Sequence, residues 1–170
     1  PLRVVEISSG IAGGYCGWLL QQMGAEVVRI GTLPTVVDGV DQIALALAYY
    51  AADKQATSPE DAADAVASAD LVITDDAARF AVLTGRSIAE TATAQPSTVF
   101  GVTSVFGLTG PLADVPAVAI DAQAEAGVAW ALGEPDRPPL AIPPGVLECQ
   151  AGAHLAAACL MARLAGPAPA

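Results

Sequence analysis

The N-terminal segment carries a strand–helix–strand pattern, which restricts the possible folds more than any other feature of the chain. Residues 3–8 form a short apolar run typical of a buried strand. Small residues at 9–14 predict a turn, and residues 15–23 predict a helix that ends at Gly24. A β-branched run at 26–30 predicts a second strand. Strands joined through a helix are parallel, so we expect a parallel sheet.

The rest of the chain continues this alternation. Further strands are predicted at 70–74 and 98–105, which makes four strands in all. Helices are predicted from apolar periodicity and from start signals such as Ser58-Pro59, where Ser caps and Pro takes the first helical position. The predicted helices cover residues 42–52, a segment opened by Ser58, 75–85, 87–94, 117–132 and 146–164. The predicted fold is α/β, a Rossmann-like doubly wound parallel sheet.

Glycine and proline mark the irregular segments and the limits of the domain. Residues 31–41 and 107–111 are predicted loops, and residues 133–144 contain five prolines and cannot be regular. We expect one domain over residues 1–165, long enough for a proper core. A Pro/Ala-rich tail is expected at residues 166–170.

The composition indicates a partner chain. Hydrophobic residues, mostly alanine, make up 54% of the chain, and charged residues make up only 15%. Few charges are left to solvate the surface, so we expect another copy or a different subunit to cover part of it.

The charge balance excludes several classes of partner. The net charge is −11, from 7 basic and 18 acidic residues, with no basic cluster to meet nucleic-acid phosphates or an anionic membrane.

The three cysteines, Cys16, Cys149 and Cys159, lack CxxC spacing, so neither a metal site nor a disulfide framework is expected. No apolar run could span a bilayer, and a cytoplasmic location is expected.

The glycines after the first strand allow two interpretations. They lie at positions 10, 13, 14 and 17, which does not give the GxGxxG motif of a dinucleotide site, and Arg29 precedes Ile30-Gly31 where such a site needs an acid. Small residues could simply let the helix pack tightly on the strand. Alternatively, N–H groups near Gly13 and Gly14 could face an anionic ligand.

Three stretches together resemble one protein family. They are residues 2–17 running on to 30, the FGLTGPLADVP segment at 106–116, and residues 122–127 followed by 133–140. In this order and spacing they resemble the family III CoA-transferases, which include carnitine-dehydratase-like proteins and α-methylacyl-CoA racemases. The resemblance covers only the N-terminal part of the family. Members are more than twice as long, with a second domain, and form interlocked dimers.

The resemblance implies a carboxylate nucleophile at Glu148. In such enzymes an aspartate attacks an acyl-CoA, forms a mixed anhydride and then carries CoA as a thioester. Glu148, between Gly133 and Gly152, matches the spacing of that aspartate. The extra methylene of glutamate shifts the oxygens by about 1 Å, which can cost about a hundredfold in rate. The alternative is that Glu148 only favours the helix N-terminus.

Other family positions differ from the usual pattern. Of an Asn-Arg-Gly-Lys-Arg run, Lys54 remains, and with Gly13, Gly14 and Arg29 it is a candidate for binding CoA. Arg29 and Lys54 could otherwise be ordinary surface bases.

Two further family motifs are changed. Asp75 and Asp76 stand in the usual Asn-Phe-Arg-Pro-Gly region, where a phosphate-bearing ligand would favour a base. Val118-Ala119 replaces the His-Asp pair of the racemases, and Asp121 is expected to point to another side of its helix.

Four other residues have a structural explanation. His154 is expected to be a core or interface histidine, since no acid at helical spacing orients it. Cys149 is expected to be a buried thiol. Trp18 and Trp130 are expected to be packing residues.

Two functions follow from these observations. The first is an enzyme that moves CoA between carboxylic acids, with acyl-CoA as substrate and no covalently bound cofactor. The second is a non-catalytic CoA-transferase-like subunit that pairs with an active chain. In either case we expect a homo- or hetero-oligomer in which another chain supplies the rest of the fold.

Overall fold

The computed structural model describes residues 1–31 and 41–166. Most of the predicted loop at 31–41 and most of the predicted tail at 166–170 therefore lie outside the described residues. The strands are β1 (Arg3–Ile7), β2 (Glu26–Ile30), β3 (Gln55–Thr57), β4 (Leu71–Thr74) and β5 (Val99–Val102).

The helices are α1 (Ile11–Gln22), α2 (Gln42–Ala51), α3 (Ala62–Ala67), α4 (Ala77–Thr84), α5 (Ile88–Ala94), α6 (Ala119–Glu125), α7 (Val128–Ala131) and α8 (Val146–Ala165). A 3-10 turn at Pro59–Asp61 precedes α3, where the sequence predicted a helix opened by Ser58.

The five strands form one parallel sheet in the order β3-β2-β1-β4-β5. This arrangement confirms the predicted α/β doubly wound class. The predicted count of four strands is wrong, because β3 was missed. It is a three-residue strand, with two of its residues exposed, that pairs with β2 at one edge of the sheet. A segment this short and this exposed lacks the apolar run by which strands are recognised.

The sheet is covered on both faces, as a parallel sheet requires. On one face, Val4 and Ile73 pack with residues of α1 and α8, including Leu20 and Cys159. On the other face, Val5 and Val72 pack with α3 and α4, whose contributions include Val66 and Phe80. Helix α2 packs against α1.

Helix α1 begins at Ile11, four residues earlier than predicted, so the predicted turn of small residues is largely helical. A Cβ atom on Gly13 would clash with the side chain of Ser8, and one on Gly17 would clash with the carboxylate of Glu6. These glycines therefore let α1 lie directly on the end of β1. The tight-packing interpretation of the glycines is confirmed.

The predicted helix at 117–132 is also wrong in its continuity. It divides into α6 and α7 at Gly127, whose φ of 72° lies in the left-handed region that favours glycine. The proline-rich segment that follows has no regular structure, as predicted. Its Ile142 N–H donates to the buried Gln123 side chain of α6 at 2.7 Å.

Within residues 1–31 and 41–166, no helix is both long and apolar enough to cross a bilayer.

Candidate functional site

A cleft of about 650 Å³ lies at the carboxyl ends of β1, β4 and β5. Its wall includes Ser9 and Gly10 after β1, Asp75 after β4, Ser104 after β5, and Glu148 of α8. The neighbouring strands β1 and β4 connect in opposite directions, because β2 lies beyond β1 and β5 lies beyond β4. In open α/β sheets, ligands bind at such a switch point, beyond the carboxyl ends of the strands.

Close contact between α8 and α1 brings Glu148 to this cleft. A Cβ on Gly152 would clash with the carbonyl oxygen of Ala12 and would lie 3.2 Å from the Cys16 nitrogen. Glycine at this position lets the two backbones approach, and Glu148 lies one helical turn earlier. The Glu148 carboxylate is half-buried and accepts a 3.0 Å hydrogen bond from the N–H of Gly145.

Glu148 thus makes the helix-terminus contact that was the alternative to a nucleophile role. The same carboxylate lies in the wall of the cleft, so the contact is compatible with either role. Its assignment as a nucleophile remains a prediction.

The side chain of Asp75 lies against the start of α1. Its carboxylate accepts hydrogen bonds from the N–H of Ser9, at 2.9 and 3.1 Å, and from the N–H of Gly10, at 2.6 Å. A Cβ on Gly10 would lie 2.9 Å from Asp75 Oδ2. The N–H groups of Ser9 and Gly10 lie between β1 and α1, at a helix N-terminus where anionic ligands commonly bind. In this chain the side chain of Asp75, which follows β4, already binds these N–H groups.

The charged groups in the wall of the cleft, among the described residues, are the carboxylates of Asp75 and Glu148. The remainder of the wall is small, hydroxylated or apolar and includes Ile11, Phe106 and Leu147. An acyl chain fits such a surface, whereas phosphate groups need donors or positive charge from elsewhere.

The two predicted CoA-binding bases lie in the interior instead. Lys54 Nζ is 2.5 Å from Glu6 Oε2 and also donates to the Gly14 carbonyl at 2.7 Å. Arg29 Nε lies 3.8 Å from Glu6 Oε1, and its guanidinium donates to the Ser8 carbonyl at 3.4 Å. Both bases are buried, so the expectation that they could be ordinary surface residues is wrong.

Burial shifts the pKa values of Glu6 and Lys54, two members of the buried cluster that consists of Glu6, Ser8, Arg29 and Lys54. Loss of hydration raises the pKa of Glu6, while the charge and hydrogen bonds of Lys54 oppose that rise. Loss of hydration lowers the pKa of Lys54, while Glu6 opposes that fall. Glu6 and Lys54 thus neutralise each other's charge beneath α1. A CoA phosphate would have to reach past the helix to contact Lys54, so its role in binding CoA remains a prediction without geometric support.

The predicted glycines lie on the helix that separates the cleft from the buried cluster. Gly13 and Gly14 are both buried, and neither lines the cleft. The space beside Gly14 is filled by Leu47 and Tyr50 of α2. The structure therefore brings Glu148 to the cleft but places all four predicted CoA-binding residues, Gly13, Gly14, Arg29 and Lys54, behind its wall.

Aromatic side chains fill the contact between α1 and α2. Contacting pairs among the rings of Tyr15, Trp18, Tyr49 and Tyr50 have centroids 5.2–6.0 Å apart. The prediction that Trp18 is a packing residue is confirmed. The Tyr50 hydroxyl lies 3.6 Å from Cys149 Sγ, and burial together with this contact raises the pKa of Tyr50 to about 12.

The structure bears on four other expectations, those for Trp130, His154, Cys149 and Asp121. Trp130 is 85% exposed, so it does not pack within the described part of this chain. His154 is exposed and its Nδ1 lies 2.8 Å from the Gln150 carbonyl, which excludes a core position. Cys149 is half-buried and not a core thiol. Asp121 does not line the cleft but accepts from the Val118 N–H at 2.8 Å, whereas Ala119 does line it.

Sequence reasoning missed the roles of Glu6 and Asp75. A signal for Glu6 was present, because a carboxylate inside the apolar run Val4-Val5-Glu6-Ile7 needs a buried partner. Asp75 had no such signal. Its contact joins residues 65 and 66 positions apart in the chain, and only the pairing of β1 with β4 brings them together.

Comparison with known proteins agrees with this geometry. Residues 54–166, more than half of the chain, match the family described as CoA-transferase family III. Comparison with curated proteins gives no match.

Solved structures with a similar fold include a hypothetical protein from Mycobacterium tuberculosis, with 21% identity and a TM-score of 0.78. The match covers 96% of this chain and 49% of that protein. A CaiB/BaiF family protein from Brucella suis has 23% identity and a TM-score of 0.79, with coverage of 96% and 48%. This chain therefore spans about half the length of the solved structures that it matches.

Proposed function

Because this chain belongs to the family III CoA-transferases, we propose that it handles acyl-CoA thioesters and that Glu148 accepts the acyl group. The observation that carries the proposal is the position of Glu148 in the wall of the cleft at the carboxyl ends of the strands. A half-buried carboxylate beside apolar surface suits nucleophilic attack on a thioester, because it loses less hydration when the substrate arrives.

The proposed reaction conserves its atoms without any added cofactor. A Glu148 oxygen attacks the thioester carbonyl, the C–S bond breaks, and CoA leaves as a thiolate. The thiolate then attacks the Glu148 carbonyl of the mixed anhydride, which releases the first acid as a carboxylate and leaves CoA on Glu148. A second carboxylate reverses these two steps, so that it leaves as an acyl-CoA and Glu148 is restored.

The hydrogen bond from Gly145 has a consequence for this chemistry. It holds Glu148 Oε2, so the nucleophile would be Oε1 or would require the hydrogen bond to be released. The same N–H group stabilises the negative charge that returns to the Glu148 carboxylate at the end of each half-reaction.

The second candidate function is a non-catalytic CoA-transferase-like subunit, and the position of Asp75 favours it. The Ser9 and Gly10 N–H groups, which could bind a substrate phosphate or oxyanion, are bound to Asp75. A partner chain would then supply the binding groups that the described half lacks.

Exposed apolar side chains support such a partner in either case. Trp130 is 85% exposed and Leu164, near the end of α8, is 88% exposed. Together with the half-length match, they lead us to propose a homo- or hetero-oligomer in which another chain covers these positions.

A trap for the covalent intermediate tests the catalytic proposal. The purified protein, with any copurifying partner, is incubated with acyl-CoAs of several chain lengths and then treated with hydroxylamine or borohydride. Peptide mass spectrometry should find a hydroxamate or an alcohol at Glu148. Glu148→Gln should abolish it, whereas Glu125→Gln, an exposed acid on α6 outside the cleft, should leave it unchanged.

The two candidate functions give different results in this experiment. An adduct on Glu148 supports the transferase. A folded protein that forms no adduct, alone or with its partner, leaves the non-catalytic subunit as the function.

A further inference from the structure

Among the residues that the structure describes, the wall of the cleft carries two negative side chains and no positive one. Asp75 and Glu148 are the ionisable side chains in its wall among residues 1–31 and 41–166. Arg29 and Lys54 belong to the buried cluster and are paired with Glu6. They cannot also neutralise a ligand in the cleft.

Asp75 is held in place as a fixed negative group. Three contacts with the N–H groups of Ser9 and Gly10, between 2.6 and 3.1 Å, orient both of its carboxylate oxygens. These contacts also occupy the donors that would otherwise attract a second carboxylate on a substrate. A ligand carboxylate placed here would meet a like charge, and the Ser9 and Gly10 N–H groups would already be bound to Asp75.

The rest of the wall suits an uncharged chain. Ile11, Val105, Phe106, Val115 and Leu147 contribute apolar surface to the cleft. Burial of an acyl chain against such side chains is favourable. A terminal carboxylate buried against the same apolar side chains would lose hydration that they do not replace.

We propose that Asp75 determines specificity in this cleft by excluding acyl groups that carry a second carboxylate, so that the acyl group presented to Glu148 is an uncharged, monocarboxylic one. The inference rests on the proposed function, since it names the substrate class of the same site. Exclusion of a competitor by an unfavourable charge is a common source of specificity.

Valeryl-CoA and glutaryl-CoA provide a matched test, because their acyl groups have the same number of carbons and differ by the terminal carboxylate. Calorimetry on Glu148→Gln, which cannot form the adduct, measures binding alone. We expect valeryl-CoA to bind at least tenfold more tightly. In the wild-type protein, with any copurifying partner, we expect the Glu148 adduct to form at least tenfold faster from valeryl-CoA.

Two variants assign the preference to Asp75. Asp75→Asn, combined with Glu148→Gln for calorimetry, should reduce the preference to less than half of its starting ratio by admitting glutaryl-CoA. Asp76→Asn removes the same charge from the next residue and should leave the ratio unchanged. Asp76 is not in the wall of the cleft and caps α4 by accepting from the Arg79 N–H at 2.8 Å.

Each outcome decides the question. Equal binding of the two thioesters by the Glu148→Gln protein overturns the inference without any variant at Asp75, and so does an unchanged preference in folded Asp75→Asn. A binding preference without an adduct supports the role of Asp75 and contradicts the proposed chemistry. An adduct that forms equally fast from both thioesters supports the chemistry at Glu148 and contradicts the role of Asp75. If neither thioester binds, both proposals fail.

Discussion

Two carboxylates lie close to helix α1, and the protein satisfies them in different ways. Glu6, beneath the helix, is 1% exposed and contacts the side chains of Lys54, Arg29 and Ser8. Asp75, at the start of the helix, is only partly buried and contacts the backbone N–H groups of Ser9 and Gly10.

This difference explains the charge of the cleft. A buried carboxylate needs a cation and several donors, whereas a partly solvated one is stabilised by backbone N–H groups alone. The chain has seven basic residues in all, and two of them are committed to Glu6. In the described part of the cleft wall, the charged side chains are therefore carboxylates.

The largest effect should come from breaking the pair beneath α1. Lys54→Met leaves Glu6 buried with only the more distant Arg29, and removal of one partner from a buried pair costs about 3–5 kcal/mol of unfolding free energy. Urea denaturation measures the loss. The double variant Glu6→Gln with Lys54→Met should recover part of it, because no buried carboxylate is then left without Lys54, although Arg29 loses its more distant ion-pair partner.

The surface ion pair provides the control for that prediction. Arg163 and Asp70 lie 3.0 Å apart, with side chains 42% and 34% exposed. Arg163→Met should cost less than about 1 kcal/mol, because solvent screens exposed pairs. Equal losses for Lys54→Met and Arg163→Met would show that burial does not set the strength of these two ion pairs.

The contact that places Glu148 beside α1 should give the next largest effect. Gly152→Ala forces a methyl group against the Ala12 carbonyl, and overpacking of this kind costs about 1–3 kcal/mol. Thermal unfolding measures the change. Because α8 must move, adduct formation at Glu148 should also slow.

Gly14→Ala is the matched variant, since Gly14 is also a buried helical glycine. Its Cβ would meet Leu47 at 3.6 Å, an ordinary contact. This variant should be neutral or should gain up to about 1 kcal/mol from improved helix propensity. A large loss at Gly14 would show that α1 has less room on its α2 side than the structure indicates.

Asp75→Ala should give a smaller loss of stability. It removes the acceptor of two backbone N–H groups, and we expect a cost of about 1.5 kcal/mol. Asp76→Ala removes the cap of α4 and should cost about 1 kcal/mol. Amide hydrogen exchange separates the two, because Asp75→Ala alone should speed exchange at Ser9 and Gly10. Unchanged exchange at Ser9 and Gly10 would disprove the contact of these two residues with Asp75.

The smallest effect concerns a carboxylate far from both regions. Glu90 accepts hydrogen bonds from the hydroxyl and N–H of Ser87, at 2.6 and 2.8 Å, and these lower its pKa from the ordinary value of 4.5. A lowered pKa in the folded state stabilises the protein above pH 4.5, and this contribution is lost as the pH falls through the folded-state pKa.

An NMR titration checks this prediction. Ser87→Ala should return the pKa of Glu90 toward its ordinary value. Thr93→Ala removes another hydroxyl of α5, one that donates to the Ala89 carbonyl, and should leave the Glu90 titration unchanged. A Glu90 titration insensitive to Ser87 would rule out the capping contact as the cause.

Local patterns were sufficient for most of the fold. The β1–α1–β2 pattern and the strand at 71–74 are correct because apolar periodicity and β-branched runs act over short distances. The ends of α4 were also predicted from local signals, since Asp76 caps it and Gly85 ends it with a φ of 72°. The predicted cap at Ser58 is wrong, because its side chain accepts no hydrogen bond from the backbone of the turn that follows. The family followed from three motifs and is confirmed by the match over residues 54–166.

The sequence by itself therefore determined the fold class, the family and the position of Glu148 near the start of α8. Only the tertiary structure decided how the charges are shared. Lys54 meets Glu6 across 48 residues, and Asp75 meets Gly10 across 65, because parallel strands place distant segments side by side. A side chain's own neighbours in sequence contain no record of such partners. For that reason Arg29 and Lys54, which were predicted to bind CoA, lie beneath the site, and the Asp75 carboxylate binds the N–H groups of Ser9 and Gly10.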